Sequence, residues 1–145
     1  MKIHVSIGGV SVGGYLEVNP KNGGNIVSLP CPDGGADEIL AEYVCDYLPR
    51  IQLSAVMSHY VKKLKPKGRL IIGGTELKEL AKAVVLGDDF ESFNKIIFGS
   101  FESVWDIKSG ATSVIEIVDI LKQLGLTIVG KKLNGYKFIV EAIRG

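Results

Sequence analysis

Ile3, Val5 and Ile7 alternate with His4 and Ser6, a period of two that predicts a strand running into Gly8-Gly9. Tyr15 to Val18 reads as a second short strand, closed by Asn19-Pro20 and the turn-rich KNGG. Ile26 and Val27 predict a brief third strand before Leu29-Pro30, and Ala36 to Ala41 a fourth. The period then changes. Leu53, Val56, Met57, Tyr60, Val61 and Leu64 recur at helical spacing, with Pro66 and Gly68 to stop the helix. Arg69 to Ile72 is an apolar strand, and Glu76 to Leu86 a helix of strong formers. A Thr112 or Ser113 cap opens another helix that buries Val114, Ile117, Val118, Leu121 and Leu124 and stops at Gly125. Leu126 to Lys132 and Tyr136 to Ile143 are the last strands, joined across Asn134-Gly135, a strong hairpin signal. Strands separated by helices predict a parallel sheet, and the hairpin puts one antiparallel strand in it.

Composition narrows this only a little. With 145 residues, 46% of them hydrophobic, the expectation is one domain over 1–145 with a substantial core. A formal charge of +1 gives no nucleic-acid signal and no case for an anionic membrane. No apolar run approaches the ~18 residues of a spanning helix, nor is there a signal-peptide core. Cys31 and Cys45 are expected to be reduced, packed thiols of a cytoplasmic protein. His4 and His59 have no Asp, Cys or second His at ligand spacing, so no metal site is expected. Lys62, Lys63, Lys65, Lys67 and Arg69 read as the solvated, cation-rich end of a helix.

One junction conflicts with the parallel pattern. Only residues 8 to 14 separate the first two strands, whereas a parallel crossover takes about a dozen residues or more. On local grounds the pair is a hairpin.

LPCPDGGADEILAEYVCDYL (Leu29 to Leu48) and LKPKGRLII (Leu64 to Ile72) resolve that conflict. Their order and spacing resemble the middle of the class I S-adenosylmethionine-dependent methyltransferases of the type 11 style. Cys31 stands where an aromatic is usual and Lys67 where the first glycine of a pair is usual. More weakly, MKIHVSIGG resembles the family's first strand and glycine loop, GGYLEVNP its second strand, and SVIEIVDILKQLGLTIV its last helix and sixth strand. The resemblance implies an α/β three-layer sandwich with a Rossmann-like methyltransferase sheet, mostly parallel with a C-terminal antiparallel hairpin. It also implies that the first crossover helix is reduced or missing, which accounts for polar His4 and Ser6 in a central strand.

Through the same resemblance, Gly8, Gly9, Asn19, Asn25, Ile26, Glu42 and Tyr43 are the candidate S-adenosylmethionine-binding residues. Each has a plainer alternative. Gly8-Gly9 is either the close approach to a nucleoside or a tight turn; the family's second glycine is Val10 here. Asn19 stands where the family holds a ribose-binding acid, or else it initiates a turn with Pro20. Glu17, two residues back, is a possible substitute. Asn25, with Ile26, either meets adenine or follows Gly23-Gly24 in a turn. Glu42, Tyr43 and Asp46 lie past the carboxyl end of a strand, where such sheets bind ligands, while Asp37-Glu38 reads as structural. No catalytic residue is identified, since Tyr43 and Tyr47 stand where the family often has histidine. Phe90, Phe93, Phe98, Phe101 and Trp105 either shape an acceptor pocket, cover an open core or form a homodimer contact. The implied activity is methyl transfer to an unidentified acceptor, a small molecule, with weak cofactor binding. The alternatives are an inactive methyltransferase-like binding or assembly module and a nucleotide-binding domain of another class.

Overall fold

In the computed structural model, which describes Met1–Gly145, the alternation at the chain start becomes β1 (Lys2–Val5), set between two parallel neighbours. These are β2 (Leu16–Val18) and β3 (Ala36–Ala41). Beyond β3 come β4 (Leu64–Thr75), β6 (Lys137–Arg144) and β5 (Leu126–Asn134), giving one six-stranded sheet in the order β2-β1-β3-β4-β6-β5. Only β6 runs antiparallel to its neighbours. Four helices accompany the sheet: α1 (Leu53–Lys63), α2 (Leu77–Leu86), α3 (Phe90–Phe98) and α4 (Val114–Gln123). None is long and apolar enough to cross a membrane.

The pleat sorts the strands into two faces. Ile3, Ile39, Leu70 and Ala142 lie in register on one, with Ala41, Ile72 and Val140 in the next row. All are buried in a single apolar cluster with Val56, Met57, Tyr60 and Val61 of α1 and Ile117, Val118 and Leu121 of α4. His4, Leu40, Ile71 and Glu141 make the corresponding row on the other face, each only part-buried. The first crossover helix is missing: β1 and β2 pair in parallel across residues 6–15, which contain no helix. Polar groups occupy the place it leaves. Glu38, 5% exposed, accepts from Arg69 Nη2 at 2.6 Å and from the Tyr15 hydroxyl, and Arg69 also reaches Glu141 at 2.9 Å. Burial opposes ionisation of Glu38, yet these hydrogen bonds outweigh it and hold its carboxyl below the usual range.

The predicted strand at Ile26-Val27 is not formed. Asn25 Oδ1 accepts from Val27 N at 3.0 Å and its carbonyl from Ser28 N at 3.3 Å, closing an Asx turn instead. The Ile26 carbonyl is taken by the Tyr60 hydroxyl at 2.5 Å, so it is not free for a ladder, and β2 remains the sheet edge. Residues 87–112 hold a helix that the sequence reading did not predict, α3, capped by Asp89 Oδ1 on Ser92 N at 3.2 Å. No residue of α3 is buried. Glu76, 4% exposed, caps two helices at once, accepting from Lys78 N at 2.7 Å and Val114 N at 3.2 Å. Cys31 and Cys45 are free and buried.

His59 fastens the segment before β3 to α1: its Nε2 accepts from Leu29 N at 2.9 Å, which requires the neutral ring. Burial, then the nearby Lys63 charge, lowers its pKa. Below the ordinary histidine value of about 6.5 the unfolded chain therefore binds more protons than the folded one, and stability is lost as pH is lowered through that window. His59→Gln keeps an acceptor without a titrating proton. Its urea midpoint should change less than the parent's between pH 7 and pH 5; equal slopes would discard the assignment.

Candidate functional site

Parallel strands leave their carboxyl ends without a following turn of sheet, and ligands of open α/β sheets bind there. At that edge, β1, β3, β4 and the start of β6 surround a cavity of about 470 Å³, within the usual range for small-molecule sites. Ser6, Ile7, Gly9 and Val10 line one side, and Glu42, Tyr43, Asp46 and Tyr47 another. Gly74, Thr75, Lys108 and Lys137 close it.

Of the residues expected from sequence to bind cofactor, Gly9, Glu42 and Tyr43 reach this cavity. Glu42 forms no ion pair with any Lys or Arg of the chain. Gly8 lies just behind, at φ +70. Its position is crowded as well as left-handed, because a Cβ there would overlap the Trp105 ring. The indole thus rests on the glycine loop, and Trp105 is the one aromatic of its stretch to do so; Phe90, Phe98 and Phe101 are exposed. Asn19 is 2% exposed, and both the oxygen and the nitrogen of its amide are engaged. Oδ1 accepts from Gly8 N at 2.9 Å and Lys21 N at 3.1 Å, and Nδ2 donates to Ser6 Oγ at 3.2 Å. It ties the glycine loop to the end of β2 and caps the turn at Pro20–Asn22. Asn25 and Ile26 sit in the Asx turn and do not line the cavity.

Two polar groupings were not legible in the sequence. Glu17 lies beside His4 across the β1–β2 ladder. Its carboxylate meets His4 Nδ1 at 2.6 Å and Ser6 Oγ at 2.5 Å, so the possible ribose-binding substitute is occupied by its own neighbours. Asp46, 5% exposed, is the other centre. Its carboxylate accepts from Thr75 N at 2.8 Å, Thr75 Oγ1 at 2.6 Å and Lys108 Nζ at 3.0 Å. Its carbonyl accepts from Ser109 N and Gly110 N at 2.8 and 3.1 Å. The strap that carries Trp105 is thereby pinned to the sheet. Asp106 adds a second anchor through the Tyr47 hydroxyl at 2.8 Å and through Ser100. Burial, then Asp106, raises the Tyr47 pKa, so that phenol stays protonated and serves as a donor rather than a base. The residues of each grouping lie far apart along the chain, where no spacing rule joins them.

No family model and no curated protein matches the sequence. Solved structures do match. A protein from Pyrococcus horikoshii OT3 has a TM-score of 0.63 at 15% identity, over 91% of this chain and 60% of its own. Magnesium protoporphyrin IX methyltransferase (ChlM) from Synechocystis PCC 6803, solved with bound SAH, has 0.53 at 19% identity, over 90% and 52%. A SAM-dependent methyltransferase from Methanosarcina mazei has 0.59 at 15% identity, over 91% and 68%. The chain spans 52% to 68% of the length of these structures.

Proposed function

We propose that this chain, whose fold is that of the class I S-adenosylmethionine-dependent methyltransferases, transfers a methyl group from S-adenosylmethionine to a small-molecule acceptor. The observation that carries this is the cavity at the carboxyl edge of the sheet, walled by the glycine loop on one side and Glu42-Tyr43 on the other. The residues present fit a cationic cofactor. Glu42 offers a carboxylate that no Lys or Arg of the chain neutralises, and Gly9 leaves its backbone open, with no atom nearer than 3.7 Å to a Cβ built there. Bound S-adenosylmethionine supplies a methyl already activated on sulfur. What remains for the protein is alignment and exclusion of water. Gly9, Glu42 and Tyr43 would hold the cofactor, with Gly8, Asn19 and the Trp105 indole shaping the loop behind them.

Because the Asn19 oxygen already accepts two backbone N–H groups and Glu17 is held by His4 and Ser6, affinity should be weak, in the tens of micromolar or poorer, roughly −6 to −7 kcal/mol. Trp105 is the only tryptophan, so its emission reports events at the glycine loop directly. Titration with S-adenosylhomocysteine should release or absorb heat and change that emission. Silence of both at millimolar ligand would favour the second reading, an inactive binding or assembly module, to which the engaged Asn19 amide already points. We further infer a homodimer, supported by the exposed Leu86, Phe90, Phe98 and Phe101. Light scattering that returned one 15.6 kDa chain at every concentration would exclude it.

A further inference from the structure

The missing crossover helix opens β1 to the cavity. With no helix over residues 6–15, the cavity reaches down the strand to His4, which lines it with Ser6 and Val12. His4 Nδ1 meets one oxygen of the Glu17 carboxylate at 2.6 Å, and Ser6 Oγ donates to the other at 2.5 Å. A carboxylate only accepts, so Nδ1 carries the hydrogen and the neutral ring keeps its lone pair on Nε2. Nε2 has no hydrogen-bond partner in the chain, and it is not buried. The His4 and Glu17 side chains are 12% and 15% exposed. The ring is thus held by one nitrogen while the other stays reachable. Ser6 is turned to Glu17 and away from His4, so the group is a positioned base and not an activated serine.

Glu17 of β2 is the one charged group in contact with the imidazole. The Tyr15 ring stands edge-on at 6.4 Å between centroids, Lys2 lies over that ring, and apolar Leu40 of β3 is the neighbour on the other side. Across the cavity Asp46 and Lys108 pair with each other, while Glu42 and Lys137 form no ion pair. Tyr43 and Tyr47 line the same space and offer flat apolar area to a ring.

We propose that His4 is the proton acceptor of this site, with Glu17 as its positioning residue, and that the group methylated is a weakly acidic hydroxyl of the phenol kind. The reaction rests on the methyltransferase reading; the base rests on the His4–Glu17 geometry. The hydroxyl proton passes to Nε2, the oxygen keeps the pair with which it takes the methyl group, and the C–S pair remains on sulfur. An imidazolium is left against the Glu17 carboxylate. Imidazole, ordinarily near 6.5, is a base matched to a phenol, near 10 as in tyrosine, better than to an alcohol.

The test is a long-range ¹H–¹⁵N spectrum of the imidazoles in the full chain at pH 8.5, titrated with phenol and with anisole, which lacks the proton. His4 should show hydrogen on Nδ1 alone. Phenol should move its Nε2 resonance and bind about five-fold more tightly than anisole. His59, the only other histidine, is an internal control, because its Nε2 is taken by Leu29 N. His4→Phe should equalise the two ligands, and the parent spectrum decides even if that variant unfolds. Hydrogen on Nε2, an Nε2 that ignores phenol, or a preference that survives His4→Phe overturns the proposal. S-adenosylhomocysteine is titrated in parallel, read at the Gly9 and Glu42 amides. A phenol response without its binding refutes the methyltransferase reading alone, and its binding with a silent His4 Nε2 refutes the base alone.

Discussion

Asp46→Ala should lose about 3 kcal/mol of stability or more, the largest effect expected of any polar substitution in this chain. The side chain is buried and satisfies three donors, the Thr75 amide, the Thr75 hydroxyl and the Lys108 ammonium. Removing it orphans the Thr75 groups at about 1–3 kcal/mol and leaves Lys108 beside the cavity with no counter-ion. Lys108 can turn partly toward solvent, which limits the loss, but the strap that places Trp105 on the glycine loop loosens with it. Asp46→Asn keeps an oxygen for Thr75 N and gives up the charge, so it should fall between the parent and the alanine variant. Urea unfolding at pH 7 measures all three. An alanine variant within about 1 kcal/mol of the parent would mean that water replaces the carboxylate at little cost and that the knot does not hold the strap.

Gly73→Ala should be comparably damaging for a steric reason. Gly73 lies in β4 between β3 and β6, and a Cβ there would overlap the carbonyl oxygens of Glu42 and Phe138. Both obstacles are backbone, so no side chain can swing aside and the neighbouring strands must part. Overpacking of this kind costs about 1–3 kcal/mol and more where nothing yields, and 3 kcal/mol corresponds to roughly 6–12 °C in Tm for a chain of this size. Because the strain falls on Glu42 and the next residue, Gly74, lines the cavity, ligand affinity should weaken as well. Gly130→Ala is the control. A Cβ at Gly130 meets only the Glu141 side chain at ordinary contact distance, 3.7 Å at the nearest, and the melting temperature should scarcely move. Equal melting curves for the two variants would show that β4 relaxes more easily than its packing indicates.

What was legible in the sequence followed from local rules. β1, β3, α1, α4 and the closing hairpin came from periods of two and 3.6 and from stop signals, because a strand or helix with one buried face must repeat its apolar residues at its own pitch. Parallel pairing of β1 with β2 contradicted the local rule for so short a link, and the resemblance carried by Leu29–Leu48 and Leu64–Ile72 resolved it correctly. Local rules failed where a side chain from elsewhere competed for the backbone, as Tyr60 does at Ile26. They also missed α3, where Phe90, Phe93, Ile96 and Ile97 recur at helical spacing although none of them is buried.

The site divides along the same line. Sequence by itself determined that glycines end the first strand, that Glu42 and Tyr43 follow the strand Ala36–Ala41, and that no metal-ligand spacing is present. Each of those depends only on residues near one another in the chain. Only the tertiary structure decided that the Asn19 amide is consumed by Gly8, Lys21 and Ser6, that Glu17 is held by His4 and Ser6, and that Trp105 rests on Gly8. A polar side chain's role depends on which donors and acceptors face it after the strands are ordered. That ordering is fixed by burial of the apolar face shared by Ile3, Ile39, Leu70 and Ala142, not by the polar residues themselves.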